Sequence, residues 1–355
     1  MPTARPNWFT SVMGTAIVAV LAVRLPGHPP AAAGDLAVAF WLLSGAMLAV
    51  LTVLSARALA GGALRRWTHD PHAAPFLGTS AMGFVTVAAA TLGSGPQVLG
   101  ARAAQTLAWL LWAMACVLAL AVSVGVPRLA RHRPELRADP GHPTWILVAV
   151  PPLTIATAGT GLLPHLPSGL AQRAFAAALL ALLLFGIVGT VRVLRTVARG
   201  LRRERGTARG EPTLWLILGP CGQVSAGSVL LALAVRPLLP AGAGEAAVDV
   251  ARVVGLAALG AGLLWLAFVL VHTARRALFG GGLPFSLGWW AFTFPVATCA
   301  FGAIELHAMG GAGVPAGLGV TLFLGLLAGW VLAAGGTVRH ALRLAAPREM
   351  AADAG

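Results

Sequence analysis

Apolar residues dominate ten stretches of the chain, at about 8–25, 36–56, 75–93, 103–126, 144–163, 172–193, 213–235, 250–272, 286–308 and 316–338, with short polar intervals between them. Each is close to the length at which a helix crosses the hydrocarbon core of a bilayer, so the pattern predicts ten spanning helices. The start of the chain, with Arg5 ahead of an apolar run from Trp8, reads as a first spanning helix, because no convincing small-residue cleavage site follows it.

The ten runs are not equivalent. A repeat of about 70 residues places a proline and then an aromatic at the opening of every odd-numbered run: Pro6 and Trp8, Pro75 and Phe76, Pro143 and Trp145, Pro212 and Trp215, Pro284 and Trp289. Proline suits the first helical turn, where its missing N–H costs nothing, and Trp suits the headgroup interface. Small residues or breakers follow within a turn or two: Gly14, Gly83, Pro151 with Pro152, Gly219 with Pro220, and Pro295. Asp70-Pro71-His72 and Asp139-Pro140-Gly141-His142 precede the second and third of these openings, where His72 and His142 read as caps of the following helix.

Five helical hairpins in parallel orientation follow, since each repeat spends two helices and returns to its starting side. The odd helices carry the breakers and the Thr and Ser residues, whereas the even ones are runs of Leu, Ala and Val. Kinked, slightly polar helices belong inside and uniformly apolar ones face lipid. The predicted fold is therefore an all-α integral membrane protein, five inner and five outer helices in a quasi-fivefold bundle about a central pore. A single transmembrane domain over 1–342 is expected, with a short cytoplasmic tail at 343–355.

The run at 286–308 stands out because Pro295 falls in its interior. A proline there removes a hydrogen bond and clashes with the preceding turn, which lipid does not tolerate unless protein or a water-filled cavity surrounds the freed carbonyls. Phe294 sits just before the break, after Trp289, Trp290 and Phe292. A bulky ring held at a helix bend is suited to plugging a narrow channel.

Composition agrees: 355 residues, 58% hydrophobic, 10% charged, with a mean hydropathy of +0.83. The longest polar interval, about 192–211, is too short to bury a core of its own. Basic residues explain the net charge of +14, and all 25 are Arg. Twenty lie at the N-terminus, after the even helices or at the C-terminus, and five lie after the odd helices. That asymmetry places both termini in the cytoplasm and makes nucleic acid an unneeded partner. Cys116, Cys221 and Cys299 lie in apolar runs without metal-ligand spacing and read as small apolar residues. No metal or cofactor is expected.

Three segments carry a resemblance: Asn7-Trp8-Phe9 with Met13-Gly14-Thr15, then Gly219-Pro220-Cys221-Gly222-Gln223, and Trp289-Trp290-Ala291-Phe292-Thr293-Phe294-Pro295. They resemble the tellurite-resistance/dicarboxylate transporter family of bacterial TehA-like proteins, fungal malate and sulfite exporters and plant guard-cell slow anion channels. The resemblance runs from the first helix to the tenth. It implies a ten-helix, quasi-fivefold bundle, a homotrimer in the plasma membrane, and a central anion pore blocked by a Phe on the ninth helix. Phe294 matches that gate and Phe292 is the fallback. Cys221, between Pro220 and Gly222, departs from the bulkier or apolar residue of many members, so pore dimensions are expected to differ.

The function this resemblance implies is a membrane anion channel or exporter for small anions: a C4-dicarboxylate such as malate, sulfite, tellurite or monovalent anions. Its expected pore lining comprises Gly14, Thr15, Gly83, Thr86, Pro152, Thr157, Pro220, Gln223, Thr293, Pro295 and Thr298. The plainer reading of Phe294 is an ordinary packing aromatic. Gln223 either hydrogen-bonds a passing anion or satisfies carbonyls freed by Pro220. With no Arg deep in an odd helix, the wall is expected to be neutral, made of hydroxyls, exposed backbone and broken helix ends. Glu305 and His307, at the end of the ninth run, would serve a proton-coupled carrier of the same fold or else be solvated interfacial groups. An enzyme is not expected, because no acid cluster, His box or nucleophile with a base occurs within the runs. A purely scaffolding role would leave the five breaker-containing helices unexplained. Which anion moves is not decided by these residues.

Overall fold

The openings of the odd runs fold as 3-10 turns, which hold both the proline and the aromatic in the first four and Trp289 without Pro284 in the fifth. In the computed structural model, which describes residues 5–27, 31–137, 141–203, 211–280, 282–310 and 313–345, these turns are Pro6–Trp8, Ala74–Phe76, Pro143–Trp145, Glu211–Ile217 and Leu287–Phe292. A 3-10 turn leaves carbonyls poorly served at the junction with an α-helix, and threonine hydroxyls close the deficit. Thr10 donates to Asn7 O (2.6 Å), Thr79 to Phe76 O (2.7 Å) and Thr293 to Trp290 O (2.7 Å).

The principal helices are α1 (Phe9–Ala22), α2 (Ala31–Ala60), α3 (Leu77–Ser94), α4 (Ala101–His132), α5 (Pro151–Gly159), α6 (Leu170–Arg203), α7 (Leu218–Val235), α8 (Ala241–Phe279), α9 (Phe294–Met309) and α10 (Ala316–Ala345). The described residues contain no strand. Among the described residues, eight helices are long and apolar enough to cross a membrane. The other two expected spans are shorter: the first is the apolar helix Pro6–Ala22, and the fifth is divided into Ile146–Ala149 and α5 at Pro151 and Pro152. The even helices outrun their apolar stretches, α8 reaching 39 residues. The tail expected at 343–355 lies outside the described residues from 346 onward, as do Asp139 and Pro140 of the third opening.

One expectation is corrected here. The run 286–308 is not a single helix kinked within its length. The 3-10 turn ends at Phe292, Thr293 takes φ −97° and ψ −81°, and Pro295 occupies the first turn of a new helix, α9. Proline is tolerated at that position, so the break falls on Thr293 and not on the interior of α9.

Packing separates the two sets of helices. α1 packs on α3, α3 on α5, α5 on α7, α7 on α9 and α9 on α1, while each even helix lies against the odd helix before it and the odd helix after it, α10 touching α9 and α1. Every residue of α1 is buried, and the stretch leading into and along α9 is mostly buried where α4 is mostly not. The even helices thus keep exposed Leu, Val and Phe side chains such as Leu110, Leu184, Leu264 and Leu324. The 3-10 turns from the second to the fifth touch in succession, and Thr79 also donates to Pro6 O (2.8 Å), which gathers the amino-terminal ends of the odd helices at one end. Close approach of α7 and α9 depends on Gly222, which abuts the backbone at Thr298 and Cys299, and on Gly302, where a Cβ would come 2.6 Å from Ser225 Oγ.

Candidate functional site

All five odd helices contribute side chains to one internal cavity of about 230 Å³. The contributors fall on one face of each helix: Ile17, Val20 and Arg24 along and just beyond α1; Val85, Thr86, Ala89 and Leu92 on α3; Thr154, Thr157 and Ala158 on α5; Gln223 and Leu230 on α7; Phe294 and Phe301 on α9. Spacings of three, four and seven residues are those of a single helical stripe. Gly93 on α3, and Thr160, Gly161 and His165 beyond α5, complete the lining. Phe294, only 3% exposed, is the first residue of α9, so its ring stands at the amino-terminal limit of the α9 stripe, and Phe301 lies about two turns further on.

The hydroxyls on this wall are already engaged. Thr86 donates to Met82 O (2.6 Å), Thr154 to Pro151 O (2.7 Å), Thr157 to Leu153 O (2.8 Å) and Thr160 to Thr157 O (2.6 Å). A hydroxyl whose proton is spent on its own helix offers a bound anion only lone pairs. Gln223 differs: it is 3% exposed, and its Oε1 has no hydrogen-bond partner among the described residues. Gln223 lines the cavity, and an acceptor such as Oε1 cannot serve the carbonyls freed by Pro220.

Charge enters at the other end. Arg24, one turn past Val20, lies 3.4 Å from Glu305 Oε1 through Nη1 and 5.2 Å above the ring of Phe301. The wall is therefore not neutral throughout, contrary to the sequence expectation. Glu305 is 8% exposed, far from the solvated interfacial acid of the alternative reading. His307 points elsewhere, its Nδ1 donating to Val314 O (3.0 Å) in the segment before α10. Residues 305 and 307 are roughly 200° apart around the helix, so the two do not form one relay.

Of the expected lining residues, Thr86, Thr157 and Gln223 border the cavity, as does the expected gate residue Phe294. The others sit in helix contacts. Gly14 leaves room for Thr293, Gly83 faces Phe9 and Val12, and Thr15 Oγ1 accepts from Trp330 Nε1 (3.0 Å), which turns it toward α10. Pro152 and Pro220 are buried in the first turns of α5 and α7, Pro295 in that of α9, and Thr298 donates to Pro295 O (2.8 Å) where α9 meets α7. Phe292 stacks edge-on against Trp215, with ring centroids 5.0 Å apart. Arg24, Phe301 and His165 are lining residues that the sequence reading passed over. The seven-residue steps from Ile17 to Arg24 and from Phe294 to Phe301 were the signal available for the first two.

A helical membrane protein whose inner helices share one polar-flecked cavity belongs to the class of channels and carriers. The family model described as voltage-dependent anion channel matches residues 3–338, and the chain belongs to that family. Among curated relatives, the sulfite efflux pump SSU1 of Arthroderma otae (strain ATCC MYA-4605 / CBS 113480) is 27% identical over 301 residues, which cover 82% of this chain and 78% of the relative. The sulfite efflux pump SSU1 of Trichophyton rubrum is 26% identical over 304 residues, with the same two coverages. The chain is a membrane anion channel or exporter.

Proposed function

We propose that the chain exports a small oxyanion, with sulfite the first candidate, through a central pathway that contains the cavity and is closed by Phe294. The observation that carries this reading is the position of Phe294. Its buried ring stands at the end of the stripe of α9 residues, Phe294 and Phe301, that reaches a cavity shared by all five odd helices. A ring that narrows the path there would exclude hydrated ions by size and dewetting. The succession of odd-helix contacts that returns to α1, with the even helices outside, supports a ten-helix, five-hairpin, quasi-fivefold bundle. On that arrangement α1 and the divided fifth helix also cross, protected from lipid by the outer helices.

The pathway holds few donors, Gln223 and Arg24 among them, so an anion is passed on and not clamped. The Arg-rich ends of the even helices lie on the cytoplasmic side in this reading, with both termini, and concentrate anions at the inner mouth of a plasma-membrane homotrimer. The relatives named as sulfite efflux pumps favour sulfite over the C4-dicarboxylates and tellurite. Burial of Glu305 is the one observation that favours a proton-coupled carrier instead. The test is sulfite release from liposomes with purified protein, at two pH values and with and without a proton gradient. Release that exceeds protein-free liposomes and ignores the gradient supports the exporter or channel. Release that requires the gradient and is lost in Glu305→Gln moves the assignment to the coupled carrier.

A further inference from the structure

Arg24 supplies the one guanidinium in the cavity lining among the described residues, and it is built in from two sides. The ring of Phe301 lies 5.2 Å beneath it, and Glu305 Oε1 approaches Nη1 at 3.4 Å, the carboxylate belonging to a residue 281 positions away in the chain. The two ends of the pair are unequally exposed, 38% of the Arg24 side chain against 10% of that of Glu305. The carboxylate thus sits behind the guanidinium, which faces the cavity with donors to spare, since a guanidinium carries five N–H groups.

We propose that Arg24 is an oxyanion-binding subsite at the mouth of the cavity remote from Phe294, and that Glu305 is its built-in competitor, which sets how long an anion stays. The inference rests on the reading that the cavity lies on the anion path. A lone guanidinium over an aromatic face in a partly desolvated site would hold an oxyanion well, and a pathway that holds its cargo well does not conduct. A carboxylate fixed against the same guanidinium cancels part of its field at every moment, without blocking the donors that face the cavity. Arg24 then selects for anions, and Glu305 keeps the subsite weak enough to empty.

This arrangement separates from a merely structural ion pair by the sign of its effects. If Arg24 and Glu305 only tie α1 to α9, neutralising either one loosens the same contact and shifts transport in the same direction. If they act as subsite and competitor, the two shifts are opposite. Glu305→Gln is expected to lower the half-saturating sulfite concentration about fivefold and to slow turnover at saturation, as unscreened attraction at a few ångströms implies. Arg24→Gln, which leaves a buried carboxylate alone on the wall, is expected to raise that concentration by at least about tenfold and to reduce the permeability of sulfite and chloride relative to sodium.

The experiment is concentration-dependent sulfite flux in liposomes, with reversal potentials in chloride gradients, for wild type, both single variants and the Arg24→Gln/Glu305→Gln double variant. Opposite shifts of the singles uphold the proposal, and shifts in one direction, or none, overturn it. Should Arg24→Gln not fold, the double variant compared with Glu305→Gln carries the same comparison, because loss of Arg24 on the neutral background must still raise the half-saturating concentration. Failure of the wild type to move any anion contradicts the pathway itself, a result distinct from wild-type transport with variants that do not diverge.

Discussion

Gly222 of α7 abuts the backbone of α9 at Cys299 so closely that no methyl group fits between them. The contact joins the broken helix of the Gly-Pro-Cys-Gly-Gln segment to the helix that carries Phe294. Gly222→Ala is expected to destabilise the fold by about 1–3 kcal/mol, the usual cost of overpacking a fitted contact. Gly219→Ala, where a Cβ would meet nothing within 4 Å, is the matched control. Thermal unfolding in detergent should show a clear drop in midpoint for the first and little change for the second.

Gln223 is buried and its Oε1 has no hydrogen-bond partner among the described residues, and such a group costs about 1–3 kcal/mol unless something else uses it. Gln223→Leu, close in size, is therefore expected to leave the unfolding midpoint unchanged or raised while anion flux falls several-fold. Reduced flux together with a lowered midpoint would instead mark the amide as structural.

Thr15 belongs to the contact with α10 through its bond from Trp330. Thr15→Val should cost about 0.6–1.7 kcal/mol, the range of hydrogen bonds between membrane helices, and leave anion selectivity untouched. A changed permeability ratio would put Thr15 on the pathway after all.

What the sequence revealed and what it hid follow from how far apart the partners are. The proline-aromatic openings are local, so five repeats of Pro6 with Trp8 and its counterparts were readable, and they appear as 3-10 turns at the starts of the odd helices. The separation into buried odd and exposed even helices was readable too, since it follows from composition. Pro295 misled because the 3-10 turn before it is apolar and joins α9 without a polar signal, so two elements read as one. The Thr residues were noticed, but their protons are committed to carbonyls three or four residues back, which composition does not reveal. Arg24 and Glu305 are 281 positions apart, and only the packing of α1 on α9 brings them together.

Phe292 and Phe294 are two residues apart, yet only the second reaches the cavity, the first being stacked on Trp215. Phe292→Ala is expected to lower the unfolding midpoint by removing that aromatic contact, worth about 0.5–1.5 kcal/mol beyond its buried area, without opening the path. Equal gains in flux for Phe292→Ala and Phe294→Ala would deny Phe294 its special position.

The claim on which the rest depends is that the ring of Phe294 closes an anion path through the cavity. Single-channel or macroscopic current in planar bilayers, wild type beside Phe294→Ala at equal protein, with chloride, nitrate and sulfite as charge carriers, addresses it most directly. The account expects Phe294→Ala to pass all three anions with at least tenfold larger conductance, as removal of a steric and dewetting barrier requires. Currents in Phe294→Ala no larger than those of the wild type, in a protein that remains folded, would contradict it.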